Sequence, residues 1–204
     1  MTDAEAALRA RNLRTLALLA ALFLLPLLLA FCTYYGSSWR PLGSVAHGVL
    51  IQPPRPLPQV DLAPVPLGAP GPAAAANALF RERWTLVYIG DGACAAACRE
   101  TLWTMRQTRL ALNNDMTRVA RVFLVSAGCC AREFLASEHQ GLTVLDAQGA
   151  QAAPLLAQFP AADREHTLYI VDPLGNLMMS YDARQNPRGL LEDLKKLLRL
   201  SHIG

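Results

Sequence analysis

A run of 25 residues without a charged side chain lies between Arg14 and Arg40, near the start of this 204-residue chain. A helix of this length is about 37 Å long at roughly 1.5 Å per residue, which is enough to cross a bilayer. The run is longer than the apolar region of a cleaved signal peptide, and no A-x-A-like cleavage site follows it. It therefore predicts an uncleaved transmembrane anchor at residues 15–39.

The arginines around this run predict how the chain is oriented. Arg9, Arg11 and Arg14 precede the run, whereas only Arg40 follows it closely. Because positively charged flanks tend to stay in the cytoplasm, residues 1–14 are expected to be cytoplasmic and the rest of the chain to lie beyond the membrane. The predicted location is a bacterial-type inner membrane, crossed once, with the globular part in the periplasm.

Prolines concentrate after the predicted anchor, with 8 of the 14 in the chain lying between Pro53 and Pro72. Proline fixes φ and removes a backbone donor, so this composition favours an extended spacer over regular structure. We expect residues 40–76 to be a linker that holds the domain off the membrane. A short edge strand is predicted at residues 48–51, before the spacer.

Residues 77–204 have the apolar patterns of an α/β domain. Strands are predicted at residues 85–89, 119–126 and 142–145, and helices at residues 95–113, 131–139 and 153–159. A β-hairpin follows at residues 167–182, with Pro and Gly in its turn. A last helix begins at Pro187, with Asn186 as its cap. This order is typical of a thioredoxin-like domain, in which helices flank a mixed sheet.

The composition excludes other classes of protein. Hydrophobic residues make up 52% of the chain and charged residues 17%, which is unlike a disordered protein. The net charge of +3 is too small for a dedicated nucleic-acid binder. The sequence has no GxGxxG, P-loop, HExxH or GxSxG pattern, so nucleotide-binding, zinc-protease and serine-hydrolase functions lack a motif.

Cys94 and Cys98, in GDGACAAACRE, directly follow the first predicted strand of this domain. Their i, i+4 spacing predicts that both sulfurs lie on one face of the first helical turn. There the positive end of the helix dipole favours a thiolate over a thiol, which increases nucleophilicity and metal affinity together. An oxidising compartment also permits a disulfide between them, either reversible or merely structural. Asp91 is expected to cap the helix.

Three features together resemble the Sco/SenC family of cytochrome oxidase assembly proteins. They are the single N-terminal membrane helix, the CxxxC in WTLVYIGDGACAAAC, and His166 in EHTLYIVDPLGN. The resemblance implies a thioredoxin-like fold and a copper site formed by Cys94, Cys98 and His166. It also implies, as partners, the copper-bearing subunit of cytochrome c oxidase or other assembly factors. The chain departs from the family at the three alanines between the cysteines, where family members commonly carry prolines.

The chemistry of the implied ligands agrees with copper as the metal. Two thiolates and one imidazole suit Cu(I), which is a soft ion, and also permit Cu(II), whereas Mg²⁺ and Ca²⁺ prefer oxygen ligands. A site with three ligands leaves a coordination position open, through which a metallochaperone can pass its ion to a partner.

Cys129 and Cys130 are a vicinal pair directly after the second predicted strand. A bond between adjacent cysteines closes a strained small ring. We therefore expect each to stay free, or one of them to exchange with Cys94 or Cys98 if the loops approach. A packing role and a redox or auxiliary copper role both stay open. His139 is expected to be a solvated residue at a helix end.

Three functions are compatible with these residues. The leading one is a copper-binding assembly factor that delivers copper to a terminal oxidase, or reduces the thiols of its copper site. The second is an enzyme, a membrane-tethered thiol–disulfide oxidoreductase without metal, in which Cys94 attacks and Cys98 resolves. Its CxxxC spacing is one residue wider than the usual thioredoxin motif. The third is a non-catalytic scaffold of the respiratory assembly machinery.

Overall fold

The structure is a computed structural model, and it describes residues 3–36, 46–67, 79–201 and 203. The chain divides into two compact units, Met1–Ser44 and Val45–Gly204. Among the described residues, the first unit contains one helix, and the second contains a six-stranded sheet with its helices.

Helix α1 of the first unit runs from Asp3 to Gly36. Its segment Arg11–Tyr35 has a mean hydropathy of 2.6, and by length and composition it can cross a membrane. The side chains that are described in this segment are exposed, as expected for a surface that lipid would cover. The helix therefore agrees with the predicted anchor up to Gly36. The predicted residues 37–39 lie outside the described part of the chain.

The second unit is built on one mixed sheet with the strand order β1-β6-β5-β2-β3-β4. The strands are β1 (Val49–Pro56), β2 (Trp84–Asp91), β3 (Val119–Ala127), β4 (Thr143–Asp146), β5 (Thr167–Val171) and β6 (Asn176–Asp182). Strands β2, β3 and β4 are parallel, whereas β5 and β6 form an antiparallel hairpin beside β2. The helices are α2 (Ala96–Leu110), α3 (Arg132–Glu138), α4 (Ala153–Leu156) and α5 (Pro187–Leu200). This architecture confirms the predicted thioredoxin-like α/β fold.

Burial explains why these segments form strands and helices. The residues of β2 from Trp84 to Gly90 are all buried, as in the central strands of sheets that are covered on both faces. Strand β6 instead alternates between buried and partly buried residues. Helix α5 begins behind Asn186, whose side chain accepts a hydrogen bond from the backbone N–H of Gly189 at 3.3 Å. The predicted cap and the predicted hairpin are therefore both confirmed.

Two hydrophobic clusters lie on the two faces of the sheet. One joins the sheet to α2, α3 and α5, and it includes Cys94 and Cys98. The other joins the sheet to α4 and to the segment that contains Leu57 and Leu62. The cysteine pair is thus part of a packed core, beside the C-terminal end of β2.

The predicted linker differs from the structure over residues 46–67, which pack on the domain. Strand β1 has eight residues and pairs with β6, so it is longer than the predicted edge strand. Leu57 and Leu62 are buried, and the N–H of Val65 donates to the carbonyl of Val144 at the opposite edge of the sheet, at 2.9 Å. Prolines are compatible with this path because an edge strand does not need every backbone donor. A free spacer is therefore wrong for this segment, while residues 40–45 and 68–76 lie outside the described part of the chain.

His139 is also placed differently from its prediction. Its side chain is 3% exposed and packs edge-on against the Phe134 ring, with 5.0 Å between centroids. Burial is the main cause that lowers the pKa of His139 from 6.5 to about 4, and the nearby positive charges of Arg121 and Arg106 lower it further. The expectation of a solvated histidine is wrong because the ring is buried in contact with Phe134.

Candidate functional site

Cys94 and Cys98 are joined by a disulfide, with 5.0 Å between their Cα atoms, a separation in the usual range for this bond. Both are buried, at 1% and 5% exposure. Only Cys98 lies in α2, because Cys94 precedes the helix and has a positive φ of 49°. The N–H of Cys94 donates to the carbonyl of Asp91 at 3.1 Å, so a tight turn comes before the helix. The prediction that both cysteines lie in the first helical turn is therefore wrong for Cys94.

The N-terminus of α2 has no side-chain cap. Its N-cap residue is Ala95, and the carboxylate of Asp91 instead accepts a hydrogen bond from the N–H of Ala93 at 2.8 Å. The expected capping role of Asp91 is therefore wrong. The absence of a side-chain cap leaves the positive end of the helix beside the cysteine pair, where it favours a thiolate once the disulfide is reduced.

Arg99 adds a positive charge next to the pair. Its Nε donates to the carbonyl of Cys94 at 3.1 Å, and its guanidinium lies 4.3 Å from the centroid of the Phe134 ring. This cation–π contact ties the start of α2 to α3. Arg99 has no role among the sequence-based predictions, although its position directly after Cys98 is a signal for one.

Tyr88 and Thr101 hold the segment that contains His166. Their hydroxyl groups donate to the carbonyl of Glu165, at 3.3 Å from Tyr88 and at 3.0 Å from Thr101. Burial raises the pKa of Tyr88, and the carboxylates of Glu165 and Asp91 raise it further, so the phenol remains a neutral donor. Because Thr101 is three residues after Cys98 in α2, Glu165 is held against the helix that carries Cys98.

His166 is partly buried and ends a short 3₁₀ helix, Arg164–His166, which contacts α2 and β2. Its carbonyl accepts a hydrogen bond from the N–H of Ala183 at 2.7 Å. Arg184 supports the same segment because it bridges the carboxylates of Asp163 and Asp182. The hydrogen bond from Arg184 is the main cause that lowers the pKa of Asp182 to about 2.

The predicted copper ligands do not form a complete metal site in this disulfide-bonded form. Within the described ranges, no three His, Cys, Asp or Glu side chains are grouped so that they could hold a metal ion. A disulfide offers no thiolate, so Cys94 and Cys98 do not fit copper in this form. The ligand set of Cys94, Cys98 and His166 therefore stays a prediction for the reduced form.

Cys129 and Cys130 are also bonded to each other, so the expectation that each stays free is wrong. The loop that carries them is hydrogen-bonded to the loop before Cys94. The N–H of Ala131 donates to the carbonyl of Gly92, and the N–H of Gly92 donates to the carbonyl of Ala127, both at 2.8 Å. These bonds hold the vicinal cysteines in a tight turn, and they bring the two loops together.

Comparison with known proteins supports the fold and identifies a family. Residues 84–201 match the family described as "Transmembrane-like, thioredoxin-like, C-terminal domain". The search of curated proteins found no match. The solution structure of apo Sco1 from Thermus thermophilus is similar to 78% of this chain and to 100% of its own, with a TM-score of 0.53 and 19% identity.

The crystal structure of yeast Sco1 with copper bound is also similar in fold. The similarity covers 59% of this chain and 80% of the yeast chain, with a TM-score of 0.51 and 13% identity. At these identities the likeness concerns the fold, and at that level it agrees with the resemblance in the sequence motifs. Because the family match covers more than half of the chain and includes both cysteine pairs and His166, the chain belongs to the transmembrane-like, thioredoxin-like family.

Proposed function

We propose that this protein is a membrane-anchored, copper-binding redox assembly factor whose Cys94–Cys98 pair alternates between a disulfide and a dithiol. The observation that carries this proposal is the disulfide itself, which lies at the end of β2, beside the uncapped start of α2 and next to Arg99. A helix N-terminus and a neighbouring guanidinium both favour thiolates over thiols. The pair is therefore suited to reversible reduction and to binding a soft metal ion.

Copper is the cargo in this proposal. Reduction supplies two thiolates at Cys94 and Cys98, and these ligands favour Cu(I). His166 is the proposed third ligand because its segment is held against α2 by the bond from Thr101 to the carbonyl of Glu165. The same dithiol can instead reduce a disulfide in a partner, so delivery of copper and reduction of thiols use the same residues.

The proposed partner is the copper-bearing subunit of a cytochrome c oxidase, or another factor in its assembly. This inference rests on the sequence motifs shared with the Sco/SenC family and on the common fold. The proposed arrangement has residues 1–14 in the cytoplasm, an anchor at residues 15–39, and the thioredoxin-like domain in the periplasm. The packing of residues 46–67 on the sheet supports adding them to that domain.

Copper titration of a histidine variant tests the proposed ligand set. The full chain in detergent is reduced, freed of reductant without oxygen and titrated with Cu(I), as the parent and as His166→Ala. We expect one tight copper per parent chain and at least about tenfold weaker binding in the variant, because a ligand is lost. The exposed His47 provides a matched control, and His47→Ala should bind copper like the parent. Equal affinity of His166→Ala and the parent would remove His166 from the ligand set.

A thiol–disulfide oxidoreductase without metal is the second candidate. It is favoured by the disulfide that joins Cys94 and Cys98, because such a bond can exchange with thiols without a metal. In this function Cys94 attacks a substrate disulfide and Cys98 resolves the mixed disulfide. Disulfide exchange by copper-free protein at the same rate in the parent and in His166→Ala, with no tight copper in either, would favour it over the first candidate.

A further inference from the structure

We propose that Cys129 and Cys130 are a second redox-active site, which relays thiol–disulfide exchange between external dithiols and the buried Cys94–Cys98 pair. The inference rests on the proposed function in one respect, namely that Cys94 and Cys98 alternate between disulfide and dithiol. It adds a route by which their oxidation state can be changed. The reductant that reacts at this second site is a dithiol, either of a partner protein or of a small molecule.

The two pairs differ sharply in access. Cys94 and Cys98 are 1% and 5% exposed, so a thiol on another protein cannot reach their sulfurs without local opening of the domain. Cys129 is exposed and Cys130 is partly buried. Since exchange requires direct attack of a thiolate on a sulfur atom, the vicinal pair is the accessible one of the two disulfides.

The two pairs are also close to each other. A Cβ atom built on Gly92 would lie 3.2 Å from the Sγ of Cys130 and 3.2 Å from the Cα of Cys129. Gly92 is two residues before Cys94, so there is no room for a side chain between the vicinal pair and the loop that leads to the buried pair. The partly buried Cys130 packs against the same hydrophobic cluster that contains Cys94 and Cys98.

Contacts on both sides of the vicinal pair keep the two loops together. Before the pair, the carbonyl of Ala127 accepts a hydrogen bond from the N–H of Gly92, and after it the N–H of Ala131 donates to the carbonyl of Gly92. In α3, which directly follows the vicinal pair, the ring of Phe134 lies against the guanidinium of Arg99. These contacts hold Cys130 beside the loop that leads from Gly92 to Cys94.

The relay balances in atoms and electrons. An external dithiol reduces the Cys129–Cys130 bond, and its own two thiols become a disulfide. The Cys130 thiolate then attacks the Sγ of Cys94, so the Cys94–Cys98 bond breaks and the electron pair leaves on Cys98, which takes up the proton that Cys130 released. The Cys129 thiolate next attacks Cys130, which re-forms the vicinal disulfide and releases Cys94 as a thiolate. Excess external dithiol reduces the vicinal bond again and drives the exchange toward reduced Cys94 and Cys98.

The rate of reduction tests this relay. Oxidised full chain in detergent is mixed with excess reduced thioredoxin without oxygen, quenched with acid and alkylated, and the free thiol at each cysteine is measured by peptide mass spectrometry. We expect Cys94 and Cys98 to be reduced at least about tenfold more slowly in the Cys129→Ser/Cys130→Ser variant, because attack then requires opening of the domain. The control Cys32→Ser removes an exposed cysteine in α1 and should leave the rate unchanged. Equal rates in the parent and the double-serine variant would overturn the relay.

Trapping of the mixed disulfide gives a second test that does not depend on the stability of the double-serine variant. In a Cys32→Ser background, Cys98→Ser/Cys129→Ser leaves only Cys94 and Cys130. We expect mild oxidation to join these two within one chain. The matched variant Cys94→Ser/Cys130→Ser leaves Cys98 and Cys129 and should form this bond at least about tenfold more slowly, because exchange depends on direct access between sulfurs. Failure to trap Cys94 with Cys130, or equal trapping in both variants, would overturn the proposed route.

Failure of the relay can be told apart from failure of the proposed function. The Cys129→Ser/Cys130→Ser variant is fully reduced with a phosphine, freed of the phosphine and titrated with Cu(I). If this variant binds copper like the parent and is also reduced at the parent's rate, the relay is contradicted and the copper function is not. If reduction of the variant is slowed and neither the variant nor the parent binds copper tightly, the relay is supported and the copper function is contradicted.

Discussion

His139 shows how strongly the fold changes the behaviour of a single residue. From sequence, a histidine at the end of a short helix is expected to be solvated, because nothing local indicates burial. The structure instead packs the ring against Phe134, near Arg121 and Arg106. Its Nδ1 is among the buried atoms that have no hydrogen-bond partner in the part of the chain that is described. This environment penalises the protonated form.

The pKa of His139 predicts how the stability of the domain depends on pH. Its pKa is about 4 in the folded state and 6.5 when it is unperturbed, so the unfolded state binds more protons between these values. The free energy of unfolding should therefore fall as the pH drops below 6.5, until it passes the folded-state pKa. Relative to His139→Leu, the parent should lose roughly 1 to 2 kcal/mol between pH 7.5 and pH 5.

Pulse proteolysis of the full chain in urea and a non-ionic detergent measures this difference. Between pH 7.5 and pH 9 the histidine is neutral in both states, so the difference between parent and variant should stay constant there. If the difference in free energy of unfolding between the parent and His139→Leu were also constant down to pH 5, this result would contradict the pKa assigned to the buried ring.

Elements whose signals are local could be predicted, and elements that depend on distant partners could not. The buried run of β2, the turn of the β5–β6 hairpin and the Asn186 cap all rest on residues that are adjacent in sequence. Strand β1 instead pairs with β6, more than a hundred positions away, and no local pattern indicates that partner. Cys94 was misplaced for a related reason, because its positive φ is set by the turn to Asp91 rather than by helical spacing.

Leu62 tests whether the proline-rich segment belongs to the domain. Its side chain is 7% exposed and lies in the cluster on the α4 face of the sheet. Leu62→Ala should lower the free energy of unfolding by about 2 to 4 kcal/mol, as a buried leucine does. Leu174→Ala, in the hairpin turn at 58% exposure, should change it by less than about 0.5 kcal/mol. If neither change altered the free energy of unfolding in urea, the segment would be a free linker and not part of the domain.

For the molecule as a whole, the candidate site could be predicted only in part. The CxxxC motif was correctly expected to follow β2, because the apolar run of that strand ends just before it, although Cys94 precedes α2 and does not lie in its first turn. Proximity of the Cys129–Cys130 loop was not predictable, because it arises from the side-by-side pairing of β2 and β3. Parallel strands bring their C-terminal ends to the same edge of a sheet, and here each end carries two cysteines.

Under the proposed function, copper binding would depend on the redox state of the Cys94–Cys98 pair. In the structure both sulfurs of the buried pair are committed to a disulfide, so the oxidised chain has no thiolate to offer at Cys94 and Cys98. Reduction releases both thiolates next to the uncapped end of α2. Copper uptake should therefore follow reduction, and oxidation should expel the metal.

The most direct measurement is anaerobic Cu(I) titration of the full chain in detergent, in its oxidised and its reduced forms, with a competing chelator to report affinity. We predict one tight copper per reduced chain and none per oxidised chain. Reduced protein that carries Cys94→Ser/Cys98→Ser together with Cys129→Ser/Cys130→Ser should behave like the oxidised parent, whereas reduced Cys129→Ser/Cys130→Ser protein should still bind one copper. A reduced parent without tight copper, or an oxidised parent that binds copper equally well, would contradict the proposal that the Cys94 and Cys98 thiolates are the metal ligands.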